Sequence, residues 1–264
     1  MSNAAVAIRV QDVTHHYGIR PVLRNVSLHV SRGELVALMG PNGVGKSTLL
    51  AMAAGLLSPL KGSVEIEGLR RRSDAATERQ IRQRVAYLPA ETWLPSTRTG
   101  REYLLAIGEL YGVDADRLMD HIDRLLRLFH LESQADMPMR GYSTGQRRKI
   151  AIAGVLVSEA PVMLLDEPFS GGLDPSALMA LRRVLEQLAK REDVTVLLAT
   201  PVPELVEHFA DRVAVMRDGA IVAYDTPDGL RHRFGRDGPL LEVLDAMMHP
   251  EGRTSIEAYF EGRS

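Results

Sequence analysis

The sequence contains a nine-residue segment whose residue types and spacing are suited to holding a chain of phosphates. It fits the pattern G-x-x-x-x-G-K-[ST] and consists of Gly40, Pro41, Asn42, Gly43, Val44, Gly45, Lys46, Ser47 and Thr48. Its glycines let backbone N–H groups curl around phosphates, and the N-terminus of a following helix adds partial positive charge. We expect Lys46 to reach the β- and γ-phosphates and the Ser47 hydroxyl to bind Mg²⁺. The segment predicts a nucleotide site; a chance match in a glycine-rich turn is the alternative.

A second candidate is the pair of carboxylates Asp166 and Glu167, which directly follow the apolar run 162–165. An unpaired carboxylate is costly to bury, so two acids at the end of a buried strand need a compensating partner. A bound Mg²⁺ is such a partner, and Asp166 would hold it through water because Mg²⁺ keeps much of its hydration shell. Glu167 would then polarise the attacking water as a general base. The alternative is that both acids face solvent or cap the next helix.

A third motif reads Tyr-Ser-Thr-Gly-Gln at residues 142–146 and precedes the carboxylate strand by about 20 residues. With the three motifs in this order, the chain resembles the ATP-binding subunits of ABC transporters from about residue 5 to residue 234. In that family the phosphate loop is the Walker A motif, and the carboxylate strand is the Walker B motif. The resemblance implies an ATP hydrolase that binds ATP and Mg²⁺, with Lys46 and Glu167 as catalytic residues.

The third motif corresponds to the family's signature, usually Leu-Ser-Gly-Gly-Gln, but Tyr142 replaces the leucine and Thr144 the first glycine. As a bare pentapeptide the match is weak, and its position before the carboxylate strand makes it specific. The resemblance implies that the retained residues grip the γ-phosphate bound to the opposite subunit of a head-to-tail dimer. They are Ser143, Gly145 and Gln146.

Two shorter elements also fit the family. The resemblance implies that Tyr17 stacks on the adenine ring; an ordinary tyrosine at a strand end is the alternative. The segment 171–174, Gly-Gly-Leu-Asp, corresponds to the D-loop, which touches the partner subunit near the phosphates. Asp174 followed by Pro175 is also a helix-start signal, so Asp174 can serve both purposes.

Two positions that would face the γ-phosphate depart from the family pattern. In place of the Q-loop glutamine stands Ala90, which can neither bond water nor bind Mg²⁺; Glu91 could substitute through a small shift of the loop. In place of the switch histidine stands Pro201, which lacks a side-chain donor and a backbone N–H. We expect His208 to be a surface residue. Losing one preorganised contact costs about 10²–10³ in rate, so we expect ATP binding to survive and hydrolysis to slow. Compensation by other residues is the alternative.

The elements that must position these motifs follow from hydrophobic periodicity. Strands are predicted at 6–10, 26–30, 35–39, 85–88, 162–165, 194–198 and 213–216, with an edge strand and turn at 63–68. Helices are predicted at 47–57, 76–84, 99–131, 145–157, 177–190 and 204–209. Alternating strands and helices indicate an α/β fold with a mostly parallel sheet.

The resemblance implies a P-loop NTPase (RecA-like) core with an N-terminal antiparallel β lobe and an inserted α-helical lobe at about 91–157. We expect an ABC ATP-binding domain at 5–235 and a small C-terminal extension at 236–264.

The composition excludes several other classes of protein. In 264 residues, 32 Lys and Arg against 34 Asp and Glu give a net charge of −2, so no nucleic-acid partner is expected. The arginine-rich runs 70–72 and 147–149 are predicted to be solvated faces. The absence of cysteine excludes disulfides and thiolate zinc sites. With no visible secretory signal and no apolar run near 20 residues, we expect a cytoplasmic protein at the inner face of the cell membrane, held there by its membrane partner.

The resemblance implies partners as well: a transmembrane permease subunit, and a second ATP-binding subunit in a homodimer or heterodimer. Segments 217–227 and 255–260 resemble short single-domain ABC-2-type exporter ATPases, which favours export. One alternative is a regulatory nucleotide-binding protein with little turnover, which Pro201 favours. The other is a non-transport ABC ATPase acting on ribosomes or DNA, for which the sequence has none of the usual tandem units, coiled coils or basic linkers.

Overall fold

The structure is a computed structural model that describes residues 5–233 and 238–248. Its strands are β1 Val6–Tyr17, β2 Arg20–Ser31, β3 Leu35–Met39, β4 Lys61–Ile66, β5 Leu69–Arg70, β6 Val85–Leu88, β7 Val162–Asp166, β8 Thr195–Ala199, β9 Arg212–Arg217 and β10 Ala220–Asp225. Its helices are α1 Lys46–Ala53, α2 Ala75–Arg82, α3 Gly100–Tyr111, α4 Ala115–Leu128, α5 Thr144–Val157, α6 Pro175–Leu188, α7 Pro227–Arg233 and α8 Leu240–Met248. Short 3₁₀ turns lie at Met139–Gly141 and Pro203–Leu205.

The larger sheet has six strands in the order β10-β9-β3-β8-β7-β6. The strands from β9 to β6 run parallel, and β10 pairs antiparallel with β9. Every residue of β3, β7 and β8 is buried, as in parallel sheets that helices cover on both faces. The α/β prediction is confirmed. Open sheets of this kind bind ligands at the carboxyl ends of their strands.

This strand order decides which predicted site residues become neighbours. The phosphate loop follows β3 and the carboxylates end β7, while β8 runs between these two strands and leads directly to Pro201. Ala90 follows β6, on the other side of β7. The two departures from the family pattern therefore flank the carboxylate strand at the same edge of the sheet.

The smaller sheet is antiparallel, with the order β2-β1-β4-β5. The strands β1 and β2 form a long hairpin whose buried residues alternate with exposed ones over much of its length. They are longer than predicted, because polar residues on the exposed face of a hairpin do not end a strand. The prediction that residues 63–68 form an edge strand is wrong, since β4 pairs with both β1 and β5.

The helices α3, α4 and α5 form the helical lobe. Thr99 begins α3 with a capping box to Glu102, and Gly112 ends that helix in the left-handed region at a φ of 74°. Asp114 then caps α4 by accepting a hydrogen bond from the Asp116 N–H. The helical stretch predicted over 99–131 is therefore two helices, divided by a glycine and a new N-cap.

The segment after β8 is the clearest departure from the predicted elements. Residues 204–209 were expected to be helical, but the structure has only the turn Pro203–Leu205 followed by irregular turns. Too few residues separate this turn from β9 for helix nucleation to be repaid by further hydrogen bonds. The strand β10 was not predicted.

The C-terminal helix α8 packs against this turn and against β9. Its buried residues are Leu240, Val243, Leu244 and Met247. The predicted boundary between 5–235 and 236–264 falls on residues outside the described ones, as do residues 249–264, so these bounds stay a prediction. Among the helices of the described ranges, none combines the length and apolar character needed to cross a membrane.

Candidate nucleotide site

The phosphate loop joins β3 to α1 and leaves the N-terminus of the helix open. Gly45 is the N-cap residue, with a φ of 113°, and no described side chain accepts a hydrogen bond from the first turn. These N–H groups are therefore available to an anion, which the helix dipole also favours. Glycine is needed at Gly40 too, because a Cβ there would lie 2.5 Å from the carbonyl oxygen of Met216. The loop has the backbone geometry of an anion site.

Lys46 lies under this loop with only 4% of its surface exposed. Its Nζ donates hydrogen bonds to the carbonyl oxygens of Gly40 and Pro41 at 2.8 and 3.0 Å. Burial lowers the pKa of Lys46, and the nearby charges of Glu167 and Asp166 oppose that shift. The fold thus brings Lys46 together with both carboxylates that the sequence pattern indicates.

Asp166 ends β7 with 1% of its surface exposed. Burial raises the pKa of Asp166, and a hydrogen bond with the Ser47 side chain acts in the opposite direction. Within the described residues, the Oδ1 atom of Asp166 has no hydrogen-bond partner. A buried, unpartnered carboxylate oxygen next to a serine hydroxyl fits Mg²⁺, which prefers oxygen ligands.

The protein alone supplies few ligands for such an ion. In the ranges that the structure describes, no group of three or more His, Cys, Asp or Glu side chains could hold a metal. Because Mg²⁺ in nucleotide sites completes its shell with water and phosphate oxygens, Ser47 and Asp166 fit a metal that arrives with the nucleotide.

Glu167 follows Asp166 in a left-handed backbone conformation, with a φ of 48°. Its N–H donates to the Ala199 carbonyl at 2.8 Å, and its own carbonyl accepts from the Ser170 N–H at 2.9 Å and Oγ at 2.7 Å. A left-handed conformation costs a non-glycine residue roughly 1–2 kcal/mol. Such conformations persist when the surrounding contacts determine them and cluster at functional sites.

Arg70 and Arg72 are exposed, as predicted for a solvated face, but the prediction is wrong for three other residues of the runs 70–72 and 147–149. Arg71, Arg148 and Lys149 are all buried. Arg148, with 2% of its surface exposed, donates to the backbone carbonyls of both Ala90 and Glu167. The sequence does carry a signal for this: α5 continues from Arg148 into an apolar run of eight residues, 150–157. A helix that is apolar all round is a buried one.

Ala90 and Pro201, the two positions expected to face the γ-phosphate, carry no polar side chain. Pro201 is exposed, and the preceding Thr200 is buried and donates its N–H to the Leu38 carbonyl at 3.2 Å. His208 is exposed, as expected, and Glu91 is exposed as well. No compensating side chain is evident at either position in the described residues.

Comparison with known proteins decides the family. The family described as ABC transporter matches residues 23–170. The chain is 31% identical over 237 residues to the ABC-type transporter ATP-binding protein EcsA of Bacillus subtilis, covering 90% of this chain and 94% of that protein. It is 34% identical over 232 residues to the Nod factor export ATP-binding protein I of Bradyrhizobium diazoefficiens, covering 87% and 74% respectively. The chain belongs to the ABC transporter family of ATP-binding proteins.

Solved structures agree with this assignment. An ATP-binding subunit of an ABC transporter superposes with a TM-score of 0.82 at 32% identity, covering 90% of this chain and 97% of that one. A dimeric ATP-binding cassette in a post-hydrolysis state, bound to ADP and phosphate, gives a TM-score of 0.74 at 25% identity, with 83% and 98% covered. The predicted P-loop NTPase core with an antiparallel β lobe and a helical lobe is confirmed for this ABC ATPase domain.

The signature motif of this ABC ATPase domain begins α5. Ser143 is the N-cap residue and forms a capping box with Gln146: the Gln146 N–H donates to the serine Oγ at 3.3 Å, and the glutamine Oε1 accepts from the Ser143 N–H at 2.8 Å. A Cβ on Gly145 would lie 2.6 Å from the carbonyl oxygen of Gly172, so the signature packs directly against the D-loop. All three predicted residues thus have a local structural role, and their contact with a partner's nucleotide stays a prediction.

The D-loop residue Asp174 caps α6, accepting from the Ala177 N–H at 2.9 Å. Its other carboxylate oxygen pairs with the buried Lys149 Nζ at 2.5 Å. The helix-start prediction is confirmed. This ion pair is a second contact between α5 and the D-loop.

Tyr17 ends β1 with 52% of its surface exposed, and its ring packs edge-on against His15 with the ring centroids 5.0 Å apart. A cleft of about 630 Å³ borders the phosphate loop, lined by residues 41–44 and by Arg20 and Arg217. Tyr17 is not one of the lining residues. Its exposed ring is compatible with stacking on a base, which stays a prediction.

Proposed function

We propose that this ABC ATPase domain pairs head to tail with a second ATP-binding subunit and drives a separate membrane subunit of an exporter. It would close on ATP and open after hydrolysis. The proposal rests on one observation: Lys46, Asp166 and Glu167 lie close together beside the uncapped N-terminus of α1. Export is supported by similarity to a protein named for Nod factor export. Dimer formation is supported by similarity to a dimeric cassette.

The phosphate loop would bind the triphosphate of ATP. Its backbone N–H groups and the N-terminus of α1 would hold the phosphate oxygens, and Lys46 would leave the loop carbonyls to reach the β- and γ-phosphates. Ser47 and Asp166 would hold Mg²⁺, the latter through water. When bound, that ion would neutralise charge on the phosphate oxygens. Tyr17 would stack on the adenine.

Hydrolysis would depend on Glu167, whose carboxylate would take a proton from the attacking water. The partner copy would close the site with its signature residues Ser143, Gly145 and Gln146, which stand at the start of a helix where an anion is favoured. Neither copy alone would hold a complete site.

We further propose that turnover is slow. The β8 end, where the family has a histidine, carries Pro201, which has no donor to offer the γ-phosphate or to orient Glu167. The β6 end carries Ala90, which has no side-chain polar atom for the water. Each lost contact reduces the rate by about 10²–10³, while the ATP-binding loop is intact.

A regulatory role without meaningful turnover is the second candidate, because the same two substitutions would leave a site that binds ATP and signals by closing. In that case ATP would drive dimer formation without release of phosphate. Retention of Glu167 favours hydrolysis.

The pairing is tested by size-exclusion chromatography of the Glu167→Gln variant with and without Mg²⁺-ATP. We expect an ATP-dependent dimer. A Glu167→Gln, Lys46→Met control, whose ATP affinity is expected to be lower by at least about tenfold, should stay monomeric at ATP concentrations below its dissociation constant. A monomer that retains bound ATP would contradict the homodimer and point to a different ATP-binding partner. Co-purification of the native protein with a hydrophobic membrane protein is expected; recovery only with ribosomes or soluble partners would contradict transport.

A further inference from the structure

Arg148 is a buried cation whose guanidinium joins two loops at the catalytic edge of the sheet. On one side, Nη1 donates to the carbonyl oxygens of Pro89 and Ala90 at 2.7 and 3.2 Å, and to Thr92 Oγ1 at 3.0 Å. On the other side, Nη2 donates to the carbonyl oxygens of Asp166 and Glu167 at 2.8 and 2.7 Å. Five oxygens are therefore gathered around one side chain.

The aliphatic part of the same side chain supports a third loop. A Cβ on Gly171 of the D-loop, which has a φ of 84°, would lie 3.3 Å from both Cγ and Cδ of Arg148. The D-loop thus packs on the stem of Arg148 while the fork holds the loops that follow β6 and β7. Arg148 therefore contacts the loop that follows β6, the loop that follows β7 and the D-loop.

The fork shape explains why an arginine is needed here. Its planar guanidinium presents donors in fixed directions, whereas a lysine ammonium is a point charge that cannot span two separate loops. Burial lowers the pKa of Arg148, and the charges of Asp166 and Glu167 oppose that shift. Four of the five partners are backbone carbonyls and none is a carboxylate, so the contact fixes main-chain positions.

We propose that Arg148 is a positioning residue for ATP hydrolysis. It holds the Glu167 main chain in its left-handed conformation and ties it to the loop at 89–92. The Glu167 carbonyl already accepts hydrogen bonds from the N–H and the Oγ of Ser170. The guanidinium of Arg148 is the third donor to this carbonyl and fixes its direction. Because Ala90 and Pro201 stand where the family has a glutamine and a histidine, the orientation of the Glu167 carboxylate depends on the position of its main chain. The proposal rests on the proposed function, in which Glu167 is the general base.

The test is single-turnover hydrolysis of ATP, with enzyme in excess, together with the dissociation constant of a fluorescent ATP analogue. Misplacing a catalytic group by about 1 Å can lower the rate about 10²-fold. We therefore expect Arg148→Met to hydrolyse about 10²-fold more slowly, with ATP affinity within about twofold of the wild type. Arg148→Lys, which keeps the charge but not the fork, is expected to recover about tenfold of that loss.

Arg71 provides the matched control. It is also buried, with 8% of its surface exposed against 2% for Arg148, and its Nε and Nη2 donate to the Ala53 carbonyl at 3.0 and 2.7 Å, away from the catalytic edge. Arg71→Met should lower the melting temperature without lowering the rate at saturating ATP. If Arg71→Met slows hydrolysis as much as Arg148→Met does, or if Arg148→Met turns over at the wild-type rate, the proposal is wrong.

Hydrogen exchange separates this proposal from the proposed function. The amides of Glu167 and Ser170 are both hydrogen-bonded in the native protein, and loosening this turn would expose them to exchange. We expect about tenfold faster exchange of these amides in Arg148→Met and unchanged exchange in Arg71→Met. If the wild type hydrolyses no faster than Glu167→Gln, hydrolysis as a function fails, and the exchange rates still decide the role of Arg148. Unchanged exchange in Arg148→Met would overturn it.

Discussion

Replacing Pro201 by histidine should speed up ATP hydrolysis. The residue follows β8, which runs between the strand that leads to the phosphate loop and the strand that ends in the carboxylates. An imidazole at this exposed position would add a hydrogen-bond donor at the sheet edge that carries Lys46 and Glu167. It would not need to displace a packed side chain, because Pro201 is exposed.

The size of the effect follows from the contact that is restored. One preorganised donor to developing charge is worth about 10²–10³ in rate, or roughly 2.7–4 kcal/mol. Since Ala90 remains unchanged on the other side of β7, we expect the lower end of that range, about 10²-fold. Loss of the proline ring is expected to lower the free energy of unfolding by no more than about 1 kcal/mol.

The assay is single-turnover hydrolysis at saturating enzyme, with Pro201→Ala as the control. The alanine variant removes the ring and restores the N–H without adding a side-chain donor, so it isolates the effect of the imidazole. A second control, His208→Ala, changes an exposed histidine nearby and should leave the rate unchanged. If Pro201→His is no faster than Pro201→Ala, the missing donor does not explain the rate.

Three further predictions follow from single residues. Lys46→Met should weaken ATP binding at least tenfold by calorimetry, because a charge-assisted hydrogen bond is worth about 1.5–3 kcal/mol; unchanged affinity would contradict the assigned loop. Burial raises the pKa of Asp166 above its unfolded value, so the native state holds the proton more tightly and stability falls as pH rises through the window between the two pKa values. Asp166→Asn should therefore raise the melting temperature of the nucleotide-free protein at neutral pH while abolishing Mg²⁺-dependent hydrolysis; a lower melting temperature would contradict it. Thr99→Ala should lower the free energy of unfolding by about 1 kcal/mol in denaturant titration, because it removes the N-cap of α3. An unchanged free energy of unfolding would mean that the capping box does not stabilise the protein.

The sequence predicts the parts of the site that are made of local backbone. The phosphate loop needs glycines at fixed spacing, and the bounds of β3 and β6 agree with short apolar runs between turn residues. Local patterns do not show which strands become neighbours. That the strand leading to Pro201 lies between the phosphate loop and the carboxylates follows only from the sheet order.

The burial of Arg148 and the presence of β10 also depend on contacts between distant parts of the sequence. Charge alone suggests that Arg148 faces solvent, whereas the backbone carbonyls that it binds lie far away in the sequence. The strand β10 lacks alternation, and it forms because its edge position beside β9 completes a hairpin. Tertiary pairing, which a single sequence does not display, overrides local preference in both cases.

The site is proposed to bind ATP and to hydrolyse it slowly. Mg²⁺-ATPase turnover of the purified chain at saturating ATP, measured against the Glu167→Gln variant with bound ATP quantified in parallel, tests it most directly. We expect turnover above that background and well below about 1 s⁻¹, the lower end of common enzyme rates. Turnover near 1 s⁻¹ or above would contradict the slow site, and turnover equal to the background with ATP bound would contradict hydrolysis altogether.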